Sequence, residues 1–263
     1  MPIGRWTRDQ LKLAFHLYCQ LPFGRLHQRN PEIVTLAALI DRTPSAVAMK
    51  LCNFASLDPS VTGSGKKALG NASALDRDIW EAFHSDWETL AVECVQLRAE
   101  LGDAKAPSTT VSPRTVSDTP DADYTGETRT ALVTQRIKQT FFRRAVLASY
   151  RGRCCMSGLS ESRLLVASHI VPWSQDPKNR LNPSNGLCLS SIHDRAFDQG
   201  LITLTDDFEV LVSDELQRNK DPFISTVLVS LHRNRIELPE RFAPKAEFLA
   251  HHRRNVFIDN RMG

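Results

Sequence analysis

The chain has 263 residues, 41% hydrophobic and 24% charged, with a formal net charge of +3. This is ordinary globular usage, with enough apolar residues for one large core or two modest ones, and it excludes a disordered, collagen-like or low-complexity chain. No run of about 18 apolar residues occurs and the start MPIGRWTRDQLKLAF lacks the apolar centre of a secretory signal, so the expectation is a soluble cytoplasmic protein without a membrane span.

The mild basic excess is compatible with a nucleic-acid partner but does not require one. Six cysteines, Cys19, Cys52, Cys94, Cys154, Cys155 and Cys188, form no C-x-x-C pair. They read as reduced thiols buried as small hydrophobes rather than as a zinc knuckle or a disulfide framework.

Residues 1–102 read as a helical domain. Thr7 is placed to cap a first helix with apolar positions Leu11, Leu13, Phe15, Leu17 and Tyr18. A second helix runs through Ile33, Leu36 and Ile40. A third opens at Thr43-Pro44, with Thr43 as cap and Pro44 at the favoured first position. Two short helices across a tight polar turn fit either a helix-turn-helix or an ordinary packed pair. In the former, Ser45, Lys50 and Asn53 are the candidates for DNA contact. One further helix is predicted from Ala74 to Leu101, with Ile79, Trp80, Phe83 and Trp87 on its core face.

Residues 103–130 are rich in Ser, Thr, Pro and Asp and poor in apolar residues, so they read as a flexible linker. Residues 131–263 then form a second domain. It begins within a helix from about Thr128 to Tyr150 whose polar face carries Arg136, Lys138, Arg143 and Arg144, either solvated or available to phosphates.

The chemistry-bearing stretch is 151–204. Leu164 to Ile170 read as a short buried strand containing His169. Asn185-Gly186 tightens the chain before a second strand through Leu187, Cys188 and Leu189. A helix begins near Ser191 and carries His193. Strand, loop, strand and helix set the two histidines on opposing elements. Each residue also has a plain structural role: a hydrogen-bonded histidine, an Asn-Gly turn, and a helix exit at Asp198-Gln199-Gly200.

The series S-H-I-x-P-W, N-G-L-x-L and H-D-x-x-F-D-x-G resembles the HNH endonuclease family with its ββα-metal fold, and more narrowly a bacterial branch of predicted restriction endonucleases. The flanking FFRRAVLASYRGRCCMSG and FLAHHRRNVF resemble that branch too. The resemblance implies an α+β protein: a mainly helical N-terminal domain, a linker, and a C-terminal nuclease domain with flanking helices. It implies His169 as the general base and Asn185 as the residue orienting its ring through a side-chain or backbone contact, or else as a turn residue with a neighbouring backbone group orienting the base. His193 is implied as a ligand for a divalent metal, Mg²⁺ first, with Mn²⁺, Ni²⁺ and Zn²⁺ tolerated.

Ser168 stands where many relatives carry an acidic or histidine ligand, so a supporting carboxylate is expected from Asp198, with Asp194 as the alternative. Arg143, Arg144, Lys50 and Arg253 are the expected nucleic-acid contacts, and His251 and His252 could approach the site. The function expected is DNA phosphodiester hydrolysis, plausibly in restriction or defence, by a homodimer making two nicks. The alternatives are a nucleic-acid-binding regulator with a silent HNH fold and a structural interaction module.

Overall fold

Thr7 caps α1 (Arg8–Gln20): its hydroxyl accepts from the Gln10 amide at 3.2 Å, and the Gln10 side chain accepts from the Thr7 amide at 3.2 Å. Leu11 and every residue from Leu13 to Gln20 are buried. A helix covered on nearly all sides lies inside its fold. Around it pack α2 (Pro31–Leu39), α3 (Pro44–Ala55), α5 (Ala74–Ser85), α6 (Trp87–Glu100) and α7 (Gly126–Ser149), with the short α4 (Pro59–Thr62) between α3 and α5. The computed structural model describes residues 4–63, 70–102 and 126–261; most of the expected linker, 103–125, lies outside them.

The Thr43-Pro44 start of α3 is as predicted. The single helix expected from Ala74 to Leu101 is instead two. Asp86 leaves the helical region (φ −151°, ψ 82°), ending α5, and its carboxylate accepts from the Thr89 amide at 2.9 Å, opening α6. On α3, Ser45 is exposed, but Lys50 and Asn53 are buried. The Lys50 ammonium lies 3.0 Å from both oxygens of the fully buried Asp76 and 5.3 Å from the centre of the Trp6 ring. The expected DNA contact at Lys50 is therefore corrected. Separating that buried pair would cost about 3–5 kcal/mol, more than one phosphate contact returns.

In the C-terminal part, β1 (Leu165–His169) pairs antiparallel with β2 (Gly186–Ser190), Ser168 opposite Leu187 and His169 opposite Gly186. Alternation along the strands gives the hairpin two faces. α7 covers one so closely that a Cβ on Gly186 would stand 2.4 Å from Val146 Cγ2, so only glycine fits there. α8 (Ser191–Asp198) covers the other and is capped by Ser190 Oγ. It exits through Gly200 at φ +69°, where a Cβ would lie 2.1 Å from the Val256 carbonyl oxygen. Beyond it lie β3 (Ile202–Leu204) and β4 (Val210–Val212), paired antiparallel, then α9 (Asp214–Gln217), α10 (Pro222–Val227) and α11 (Ala246–Asn255). The fold is α+β, as expected, and no helix among the described residues is long and apolar enough to cross a membrane.

The N-terminal helices and the later elements share one apolar interior. Arg241 is wholly buried, its guanidinium donating to the Tyr18 and Leu21 carbonyls at the C-terminal end of α1 and lying 4.4 Å from the centre of the Tyr18 ring. The negative end of the helix dipole and the two carbonyls balance that charge. Beside it, the Phe242 and Ala243 amides donate to Asp58 Oδ2 and Ser60 Oγ.

His16, inside α1, stacks on Phe141 of α7 with ring centres 5.0 Å apart. Burial first, then the charges of Arg98 and Arg144, hold its pKa down to about 3. The unfolded chain binds this proton near pH 6.5 while the folded chain does not, so stability falls as the pH drops through that value. Between pH 7 and pH 5 the loss through His16 is about 2 kcal/mol, at about 1.4 kcal/mol per pH unit below 6.5. Urea unfolding at the two pH values should show it, and His16→Leu should lose that part of the pH dependence whatever its absolute stability.

Candidate active site

His169 ends β1, with its ring held on three sides. The Phe142 ring of α7 stacks flat on it, with centres 3.8 Å apart and planes 9° apart, and Trp173 meets it edge-on at 5.4 Å. On the third side Nε2 lies 2.9 Å from the Arg180 carbonyl. A carbonyl only accepts, so Nε2 carries the proton and Nδ1 keeps a lone pair. Burial lowers the His169 pKa against the opposing pull of that carbonyl, so the ring is neutral at neutral pH. A neutral, oriented imidazole with one lone pair is what a general base requires.

Asn185, fully buried just before β2, spends its carboxamide on backbone groups. Its Oδ1 accepts from the Val171 amide at 2.8 Å, and its Nδ2 donates to the Val171 and Asn179 carbonyls at 3.2 and 3.3 Å. Its own carbonyl accepts from the Ile170 amide at 3.0 Å. The carboxamide thus closes the loop that leaves His169 and delivers Arg180 to it. The orienting group is a backbone carbonyl, and Asn185 holds the segment supplying it.

On α8, His193 is buried and turned inward. Its Nδ1 lies 3.3 Å from Cys154 Sγ and its Nε2 lies 3.2 Å from the Val227 carbonyl. Burial alone would raise the Cys154 thiol, but hydrogen bonds from His193 and Ser157 outweigh it and bring the pKa down to about 6. This contact joins residues 39 apart in the chain, and no local pattern announces it. The same helix carries Asp194, half-buried, and Asp198, exposed, one turn apart. Burial raises both; Asp198 reaches about 6, with the neighbouring Asp194 charge adding to the rise.

The expected cationic contacts are engaged within the chain. Arg143 donates to the Leu165 carbonyl at 2.8 Å, Arg144 pairs with Glu32, and Arg253 donates to the Leu204 carbonyl at 2.8 Å and to Asp206 at 2.6 Å. Arg143 and Arg144 flank the hairpin on α7, Arg253 lies on α11, and Lys50 is in the α3 core. The structure does not gather the four in one patch. His252 is a core residue, stacked on Phe197 and bonded to Thr203 Oγ1 at 2.8 Å. His251 lies 2.8 Å from Gln175 Oε1, in a cleft it lines with Val171, Asp176, Asn179, Glu247 and Phe248 beside the loop that Asn185 closes.

Asn185→Ala removes three side-chain hydrogen bonds, two of them buried, and leaves the Val171 amide without its Asn185 partner. The expected cost is about 2–3 kcal/mol in urea unfolding, together with faster hydrogen exchange at the Val171 amide. Wild-type exchange at that amide in the variant would show that the carboxamide does not hold the loop.

Residues 154–205 match the family model described as HNH endonuclease. The matched segment spans the hairpin, α8 and β3 and contains His169, Asn185, His193 and Asp198. No curated protein matches the chain. Residues 154–205 of this chain are thus similar to an HNH endonuclease domain, and that similarity suggests a nuclease acting on nucleic acid.

Proposed function

We propose that the protein is a divalent-metal-dependent endonuclease that hydrolyses DNA phosphodiester bonds, acting in restriction or defence against foreign DNA. The observation carrying this reading is the His169 ring: neutral, clamped between Phe142 and the Arg180 carbonyl, with its Nδ1 lone pair retained. In this reading Nδ1 takes the proton from a water as the oxygen attacks phosphorus. Phe142, Trp173 and the braced loop fix the ring so that little reorganisation accompanies the transfer.

The divalent cation, Mg²⁺ first and Mn²⁺, Ni²⁺ or Zn²⁺ as substitutes, belongs on α8, where the sequence pattern puts His193 and Asp198. The Asp198 carboxylate, raised by burial first and then by the Asp194 charge, fits a cation that would relieve that repulsion. When bound, such an ion offsets negative charge on the scissile phosphate and its leaving oxygen.

Residues 1–102 are proposed as the DNA-reading part and 131–263 as the cutting part of a cytoplasmic homodimer, since a double-strand break needs two nicks. A second reading, a nucleic-acid-binding regulator with a silent site, is favoured by one observation: Ser168 replaces a carboxylate on β1 while both ring nitrogens of His193 have partners.

Supercoiled plasmid separates the two. Wild type with Mg²⁺ or Mn²⁺ should nick or linearise it, chelator should stop the reaction, and His169→Ala should lower the rate by about 10²–10⁴. Burial lowers the His169 pKa, so the rate should hold as the pH falls to 6.5 and decline only on the acid side of it. Plasmid binding without cleavage by the folded wild type would favour the regulator.

A further inference from the structure

We infer that Arg180 grips the scissile phosphate: the two outer nitrogens of its guanidinium, Nη1 and Nη2, take phosphate oxygens while His169 activates the attacking water. The inference rests on the nuclease reading of the site and adds the cation that meets its substrate.

Arg180 already serves the site through its backbone, since its carbonyl lies 2.9 Å from His169 Nε2 and fixes the tautomer. The side chain is held as well. Nε donates to the Trp173 carbonyl at 2.8 Å, and the guanidinium carbon lies 5.5 Å from the centre of the Trp173 ring. A bond at Nε together with a contact on an aromatic ring leaves few rotamers to a side chain that is otherwise long and mobile. Arg180 and Trp173 are both half-buried, so neither is sealed from solvent.

What the held fork lacks is a counter-ion. Among the described residues no carboxylate lies within ion-pair distance of Arg180, and Nη1 and Nη2 have no hydrogen-bond partner. The arginines expected to meet phosphate differ in this respect. Arg143 donates to the Leu165 and Ser162 carbonyls, Arg144 pairs with Glu32, and Arg253 pairs with Asp206. A half-buried cation that is held in place but uncompensated suits an anion the chain does not supply, and a planar fork with two free nitrogens matches two phosphate oxygens.

The spacing fits a phosphodiester. The Trp173 ring centre is 5.4 Å from that of His169 and 5.5 Å from the guanidinium carbon, so the guanidinium lies at most about 11 Å from the His169 ring centre. A water bonded to Nδ1, the phosphorus it approaches, and the contact from a phosphate oxygen to the guanidinium each take about 3 Å. In the step itself the water oxygen bonds to phosphorus and its proton passes to Nδ1. The leaving oxygen departs with its electron pair and takes a proton from solvent. Negative charge grows on the non-bridging oxygens meanwhile, and a fixed guanidinium meets it without reorganising. The segment that Asn185 closes thus carries both the group that sets the base and the group that holds the phosphate.

The test uses full-length protein, with a short fluorescent DNA duplex in chelator for binding and supercoiled plasmid with Mg²⁺ for cleavage. Arg180→Met keeps an apolar stem against Trp173, and Arg180→Lys keeps the charge without the fork. Each variant is first checked by thermal melting and by the nitrogen-15 signals of His169, whose Nε2–H tautomer is set by a backbone carbonyl and should persist. Arg180→Met should flatten the slope of log affinity against log salt by about one, the loss of one phosphate contact. Its cleavage rate should fall by about 10²–10³. Arg180→Lys should keep the wild-type salt slope and still cut more slowly than wild type; if the Met variant does not fold, wild-type cleavage by Arg180→Lys would overturn the assignment. An unchanged slope in folded Arg180→Met would overturn it too, as would wild-type cleavage by that variant or no DNA binding by wild type. Slower cleavage with an unchanged slope and an altered His169 tautomer would make Arg180 a structural residue only. A slope lowered by about one in a protein that never cuts DNA would support the phosphate contact and remove the nuclease reading.

Discussion

The site depends on one buried carboxamide. Asn185 ties two backbone segments that would otherwise be a long surface loop, and through that tie the Arg180 carbonyl reaches the His169 ring. A histidine at a strand end has several rotamers and two tautomers, and the Arg180 carbonyl selects the tautomer that leaves Nδ1 unprotonated. The β1–β2 register puts Gly186 opposite His169, the absent side chain lets α7 approach, and Phe142 of that helix flattens the ring from the other side. Each of these features presupposes the loop being closed.

Much of this was legible in the sequence because it is local. Caps at Thr7 and Thr43, the two strands of the hairpin and the start of α8 follow from residue type and spacing over a few positions. The break at Asp86 was not, since the apolar stripe runs on from Phe83 to Trp87 and conceals a capping residue inside it. Lys50 could have been placed by a stricter use of the same rule. It stands three residues after Val47 and four before Phe54, on the buried stripe of α3, where a charge needs a partner rather than a ligand. The role of Asn185 was half legible: Asn-Gly marks the turn, but which backbone groups the carboxamide meets is decided by how residues 171–179 fold back. The contact of His193 with Cys154 exists only in three dimensions.

The distribution of charge carries a related lesson. A net charge of +3 is a weak guide because it counts cations without asking what holds them. Arg143, Arg144 and Arg253 each meet a carbonyl or a carboxylate of this chain. Arg144 joins α7 to Glu32 at the start of α2, so a residue read as a phosphate contact is also a tie between the helical part and the helix that backs the β1–β2 hairpin. An incoming phosphate would compete with those partners, and exposed pairs of this kind are weak enough to exchange at a cost of about 1 kcal/mol or less.

Arg241 bears on how the chain is made. It completes the C-terminal end of α1 from positions 223 and 220 residues further along, and Phe242 packs against the same helix through Tyr18. During synthesis the N-terminal helices leave the ribosome long before that guanidinium exists. Until it arrives, the Tyr18 and Leu21 carbonyls lack the guanidinium that later meets them, and the face of α1 that later receives α7 is bare. The first helices are therefore completed by the last quarter of the chain, through contacts more than 200 residues apart in sequence. A chain truncated before residue 241 would present α1 without the charge that completes its C-terminal end to chaperones and proteases, rather than a finished N-terminal half.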